Sequence, residues 1–176
     1  TAERTLEVVC DVAGIHFGGV FRFDRASQTL GLIAHRGLEP DDVERLRLRS
    51  LDQSHVGEVI RTGRPNITDL TASRVLTPDV AERVRAGGYR TQLALPIPVN
   101  GETWGVMALI SKEARTFQAD ELTLLEAVAH QVGQVVVVER VELPQGVVRI
   151  VHPELRLPRV AALDAVFPLS PHARVL

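Results

Sequence analysis

The chain has 176 residues, a net charge of −2 and 45% hydrophobic content. That is about one domain's worth of sequence with enough apolar material for a core, which argues against disorder. The near-balanced charge leaves no global basic field for nucleic acid, and no apolar run approaches the ~20 residues of a membrane span. No basic segment followed by an apolar stretch opens the sequence, and the single cysteine, Cys10, can form neither an internal disulfide nor a zinc site alone. A cytoplasmic setting is the expectation. Nineteen of the twenty basic residues are arginines, with Lys112 the sole lysine, and their spread along the chain reads as solvated surface.

In chain order, residues 2 to 14 place Leu6, Val9, Cys10 and Ala13 on one helical stripe, with Gly14 as a stop and Cys10 as a buried structural thiol. Val20 to Phe23 alternates as a short strand, Asp24 to Thr29 is turn-like, and Leu30 to His35 resumes a strand, which together predict a β-hairpin. Gly37 to Pro40 breaks the sheet, and Pro40 opens a helix with Asp41 and Asp42 at its positive end. His55 to Thr62 predicts a short helix ended by Gly63, and Asn66 to Leu70 alternates weakly. Thr77 is placed to cap a helix with Pro78 and Asp79 in its first turn and Gly87-Gly88 past its end. The strand from Gln92 to Val99 holds Leu93, Leu95, Ile97 and Val99 on one face, and its two prolines predict an edge or a bulged end. Asn100-Gly101 turns the chain into a returning strand, Trp104 to Ile110.

The longest predicted helix runs from 117 to 142, with carboxylates in its first turn. Leu122, Leu125, Ala129, Val132 and Val136 fall at heptad-like spacing, while Leu124, Val128 and Val135 fill a neighbouring face. One stripe covers the helix's own sheet; the heptad stripe, joined by Leu6, predicts an interface with a second copy of the chain. After Pro144 a strand is expected near Gly146 to Val151, and Pro153, Pro158, Pro168 and Pro171 break up the remainder. The predicted division is a domain over 1–142 and a tail, or the start of a following segment, over 143–176.

The order helix, hairpin, crossover, hairpin, long helix resembles a GAF domain. The blocks are Gly19-Val20-Phe21-Arg22-Phe23, the crossover from Gly57 to Asp69, Gly88 to Val99, Gly105 to Leu109, and Arg115 to Leu125. The resemblance covers residues 2 to 141. It implies an α+β fold: a central antiparallel sheet with the N- and C-terminal helices on one face and crossover helices and loops over a pocket on the other. It also implies a sensory module that dimerises through its terminal helices and signals to a downstream output domain. On this architecture Phe21, Met107 and Leu109 would floor a small-molecule site, and Arg36, Asn66, Asp69, Tyr89, Arg90 and Thr91 would supply polar contacts from strand ends and crossover loops.

Enzyme motifs are sparse. No phosphate-binding glycine loop, HExxH or GxSxG is present, and the several pocket cysteines of GAF-like methionine sulfoxide reductases have no counterpart. The expectation is therefore a non-catalytic module without cofactor or metal, whose ligand is an unidentified small molecule. Cyclic-nucleotide-binding members carry Asn-Lys, Phe and Asp-Glu; here Ser111-Lys112, Phe117 and Asp120-Glu121 form a remnant that could hold a salt bridge from Lys112 to the helix start. His35 and His55 are the positions a haem ligand would need. His152 to Pro158 resembles the phosphoacceptor box of histidine kinases, but Pro153 would break the helix that box requires. A ligand-free dimerisation spacer, with the cavity closed, is the alternative to a ligand-binding sensor.

Overall fold

The computed structural model describes residues 2–53 and 55–136, together with a strand pair at 141–142 and 148–149. Two compact units divide the chain, Thr1–Val137 and Val138–Leu176. Within the second unit, β7 (Val141–Glu142) pairs antiparallel with β8 (Val148–Arg149). The extended backbone at 141–142 ends the helix short of the predicted residue 142. The histidine box at 152–158 lies outside the described residues.

In the first unit, α1 (Ala2–Ala13) leads into β1 (Phe17–Asp24) and β2 (Thr29–Arg36). The crossover then comprises α2 (Pro40–Leu46), β3 (Leu48–Ser50), a 3-10 turn at Leu51–Gln53, α3 (Val56–Thr62), β4 (Asn66–Asp69) and α4 (Pro78–Gly87). The chain returns through β5 (Thr91–Val99) and β6 (Glu102–Ser111) and ends in α5 (Ala119–Val136). The strands form one antiparallel sheet in the order β3-β2-β1-β6-β5-β4. Local chemistry sets many of the boundaries. Gly63 and Gly88 end α3 and α4 in the left-handed region at φ 64° and 69°. Asn100 and Gly101 take φ 51° and 80°, the pair of positive angles that a tight hairpin turn requires.

Period-two alternation sorts the strand residues onto two faces. Met107 and Leu109 of β6, with Leu93, Leu95 and Ile97 of β5, point toward α1 and α5, where Leu6, Val9, Cys10, Leu125, Ala129 and Val132 complete one core. Val106 and Ala108 of β6, with Ala94 of β5 and Phe21 of β1, point the other way, where Leu51, Val56 and Val59 cover them. Each fully buried aliphatic side chain in these layers contributes about 1.5–3 kcal/mol relative to exposure. A bulge in the β1–β2 pairing lets Val20 face Ala34 and Phe21 face Leu32, so Ile33 is skipped and left exposed. The bulge moves Leu30 and Leu32 to one face and Ala34 to the other.

One expectation changes here. Leu6, Leu125, Ala129 and Val132 are at most 1% exposed within a single chain, so they build its core and leave no surface for a partner. The heptad stripe is the one that faces the sheet, because its spacing differs little from the 3.6-residue stripe that any sheet-packed helix presents. Among the described residues, the exposed large apolar side chains of these helices are Val8 and Val12 on α1 and Leu124 on α5; Leu122 is half-buried against the core, and Val136 closes the described helix. The prolines of β5 lie where predicted: β4 pairs only with residues 91–94, leaving Pro96 and Pro98 on an edge, and the register shifts between Ile97 and Pro98.

Candidate ligand pocket

On the face opposite α1 and α5, a cavity of about 360 Å³ lies between the sheet and the crossover segments. Its floor is Gly18, Gly19 and Phe21 of β1, Gln92 of β5, and Ala108 and Ile110 of β6. Gly19 carries no side chain on the Phe21 side of the sheet, which leaves room above its centre, whereas a Cβ at Gly18 would point to Leu6 and Leu109 on the helix side. Its walls come from α2 (Asp42, Arg45, Leu46), β3 (Leu48, Arg49, Ser50), the approach to α3 (His55, Val56) and α4 with its lead-in (Thr77, Asp79, Val80, Arg83, Val84). Tyr89 closes one side.

Tyr89 reaches the cavity because Gly87 yields space: a Cβ at 87 would stand 2.4 Å from the tyrosine ring. Gly87 thus lets the ring fold back along the end of α4, while Gly88 supplies the left-handed cap. Phe17 meets the Tyr89 ring edge-on, with centroids 5.1 Å apart, and Lys112 Nζ lies 5.1 Å from the Phe17 centroid and 5.6 Å from that of Tyr89. Lys112 therefore does not bridge to the start of α5. Glu121 there pairs with Arg115, which also donates to the Ala13 carbonyl and lies over the Phe117 ring.

The polar wall is ordered by charge. Arg83 Nη1 of α4 binds Asp42 Oδ1 of α2 at 2.7 Å, joining the two cover helices. Thr77 does not cap the α4 backbone with its hydroxyl; it donates to Asp79 Oδ1 at 2.5 Å. That bond, more than the charge of Arg49, holds the Asp79 carboxyl below its ordinary range. Burial lowers the pKa of Arg49, with Asp79 acting in the opposite sense. Tyr89 is raised, first by burial and then by the charges of Asp42 and Glu39. His55 is lowered chiefly by burial, and its Nε2 shares a 2.6 Å hydrogen bond with Ser73 Oγ.

Of the residues assigned to the pocket from the sequence, Phe21 and Tyr89 line it. Met107 is fully buried on the helix side of β6, one residue out of phase with Ala108. Arg36 binds the Glu7 carbonyl and Asp11 of α1 at 2.7 and 2.8 Å. Asn66 donates to Glu58 at 2.9 Å, and Asp69 accepts from the Thr71 hydroxyl and backbone, which lower its pKa. Thr91 donates to the Glu113 carbonyl at 2.8 Å and accepts from the Arg115 amide, so it ties down the loop before α5. Arg90 has an exposed side chain, while its backbone joins Leu70 and Ser111. His35 is exposed, away from the lining, whereas His55 belongs to it.

Asp42, Arg45, Arg49, Asp79 and Arg83 are the polar lining residues that sequence reasoning missed as a group. Asp42 and Asp79 carried a signal as first-turn acids after Pro40 and Pro78, but it pointed to helix starts rather than to a cavity. Cys10 is fully buried under the opposite face of the sheet, and burial pushes its thiol up to about 11. Among the described residues no group of three or more His, Cys, Asp or Glu could hold a metal ion, and no helix is long and apolar enough to cross a membrane.

One antiparallel sheet, terminal helices packed on one face and a roofed cavity on the other define a single-sheet α+β domain. A family profile described as GAF domain matches residues 1–137, and the chain belongs to that family. No curated protein sequence matches it. Among solved structures it is similar to a GAF domain/HD domain protein from Geobacter sulfurreducens, at 17% identity and TM-score 0.65 over 76% of this chain and 87% of that one. It is also similar to a domain of a putative two-component sensor histidine kinase from Sinorhizobium meliloti 1021, at 17% identity and TM-score 0.63 over 78% and 89%. A type II free methionine-R-sulfoxide reductase from Thermoplasma acidophilum shares the fold at 14% identity and TM-score 0.58 over 77% and 92%. At these identities the likeness is one of fold.

Proposed function

We propose that this GAF domain is a non-catalytic sensory module of a cytoplasmic signalling protein, binding a small molecule in the cavity and acting on an output domain through α1 and α5. The observation that carries the reading is the cavity of about 360 Å³ on one face of strands whose other face holds both terminal helices. Ala108 lines the cavity while its neighbours Met107 and Leu109 pack on the helix side, so a displacement of β6 by a ligand is felt under α1 and α5. A ligand that favours one arrangement of those helices shifts their equilibrium by its differential affinity. An open cavity supports this reading over a ligand-free spacer. The engagement of Lys112 with two rings and of Glu121 with Arg115 weighs against a cyclic-nucleotide site built on that pair.

Self-association on this reading uses the outer surfaces of the adjacent helices α1 and α5, where Val12 is 62% and Leu124 51% exposed. A thermal-shift and native mass spectrometry screen over amino acids, nucleotides and small organic acids tests the sensor. A ligand at 100 times its Kd adds about 2.7 kcal/mol, a rise of roughly 5–10 °C for a domain of this size. A screen with no bound species and no shift above about 1 °C would sink the ligand site. Sedimentation of the wild type and of a Val12→Glu/Leu124→Glu variant tests the dimer: the wild type associates and the variant does not. A monomeric wild type at about 100 times a micromolar Kd removes that part of the proposal.

A further inference from the structure

We propose that the cavity selects a small organic monoanion, a carboxylate on an apolar body, with Arg45 and Arg49 as the groups that meet its charge. The inference rests on the small-molecule reading above and narrows it to one ligand class. Three guanidinium groups, Arg45, Arg49 and Arg83, line the cavity against two carboxylates, Asp42 and Asp79. Asp42 is engaged by Arg83 at 2.7 Å, and Asp79 accepts from Thr77 at 2.5 Å and is the acidic neighbour of Arg49. Among the described lining residues the guanidinium groups outnumber the carboxylates by one, and the two besides Arg83, which binds Asp42, are Arg45 and Arg49 from the adjoining segment of α2 and β3.

The rest of the lining is suited to a hydrocarbon. Phe21, Ala108 and Ile110 form the floor, and Val80 and Val84 face it from α4. A carboxylate near Arg49 meets a guanidinium whose burial has already removed part of its water, where attraction is stronger than in bulk solvent. A cation would meet more guanidinium than carboxylate groups in the lining. A dianion would place its second charge near Asp42 or Asp79. A neutral carbonyl accepts hydrogen bonds from the arginines but gains no charge–charge attraction. One charge on an apolar body is the combination that every part of the wall accepts.

The test uses the full chain at low ionic strength and isothermal titration with two shape-matched sets: hexanoate, hexanamide and hexylamine, and benzoate, benzamide and benzylamine. The expected result is that the acid of at least one set binds about tenfold or more tighter than its amide, with the amine weakest. Arg49→Gln and Arg45→Gln each weaken the acid several-fold and the amide much less, whereas Asp79→Asn tightens the acid by removing a competing negative charge. Arg45 and Asp79 are exposed, so their variants carry the test even where Arg49→Gln fails to fold. An amide or amine that binds as tightly as its acid overturns the anion assignment and leaves the small-molecule site standing. An acid that ignores all three substitutions overturns the assignment to these arginines. Absence of binding by all six probes overturns the anion assignment, while the small-molecule reading stands or falls separately on the wider ligand screen.

Discussion

Gly133 sets how closely α5 approaches the sheet, and replacing it with alanine puts two opposite effects in competition. A Cβ at 133 would stand 2.5 Å from the Pro98 carbonyl oxygen and 3.2 Å from Ile97 Cγ2. In a helix interior alanine is favoured over glycine by about 1 kcal/mol, which alone would stabilise the variant. The clash works against it. Real Cβ contacts essentially never fall under 3.0 Å, so the helix must lift by about half an ångström, and both sides of the contact are backbone that no rotamer change can move. Lifting α5 also loosens Leu125, Ala129 and Val132 over β5. Overpacking of this kind costs about 1–3 kcal/mol, so after the propensity gain the net loss is about 0–2 kcal/mol and Tm falls by up to roughly 8 °C. Thermal and urea unfolding followed by far-ultraviolet circular dichroism measures the change. Ala127→Gly, on the exposed side of the same helix, calibrates the propensity contribution with no change in contacts. A Gly133→Ala protein that is more stable than wild type refutes the close approach.

Cys10 predicts a pH dependence. Its thiol keeps its proton to about pH 11 in the folded chain against 9.0 for the ordinary group, because burial disfavours the thiolate. The contribution is complete below pH 9 and is lost by pH 11, as the unfolded chain ionises first; the loss is about 2–3 kcal/mol. Tyr89 acts with the same sign, so the difference between wild type and Cys10→Ala isolates the thiol; identical slopes for the two proteins would contradict this account. Arg115→Ala removes the bonds to Ala13 and Glu121 and is expected to cost about 1.5–3 kcal/mol, with faster hydrogen exchange at the end of α1 and the start of α5. Unchanged exchange at both ends would show that Arg115 does not hold them. A double-mutant cycle on Arg83 and Asp42, a half-buried pair, should give a coupling of about 0.5–1.5 kcal/mol, and none if α2 and α4 are not joined over the cavity.

The parts of the fold legible in the sequence are those that neighbours along the chain decide. Leu93, Leu95 and Ile97 alternate with a period of two and form the buried face of β5. Pro40 and Pro78 stand at the starts of α2 and α4, and Gly63, Gly88, Asn100 and Gly101 adopt the left-handed backbone their positions suggested. In the candidate site, Phe21 and Tyr89 were legible because one lies on a strand and the other at the junction of a helix cap and a strand. Met107 was not, because its face depends on the pairing of β6 with β1 and β5, and a shift of one residue exchanges it with Ala108.

The amino-acid order by itself determined an α+β domain with a hairpin at each end of a crossover and a long apolar helix, since periodicity, turn residues and capping are short-range physics. The tertiary structure alone decided where the two faces fall, that the heptad stripe of α5 is spent on the chain's own sheet, and which charges meet over the cavity. Asp42 and Arg83 are far apart in sequence and 2.7 Å apart in space; strand pairing and helix packing bring them together, and no local pattern encodes that distance.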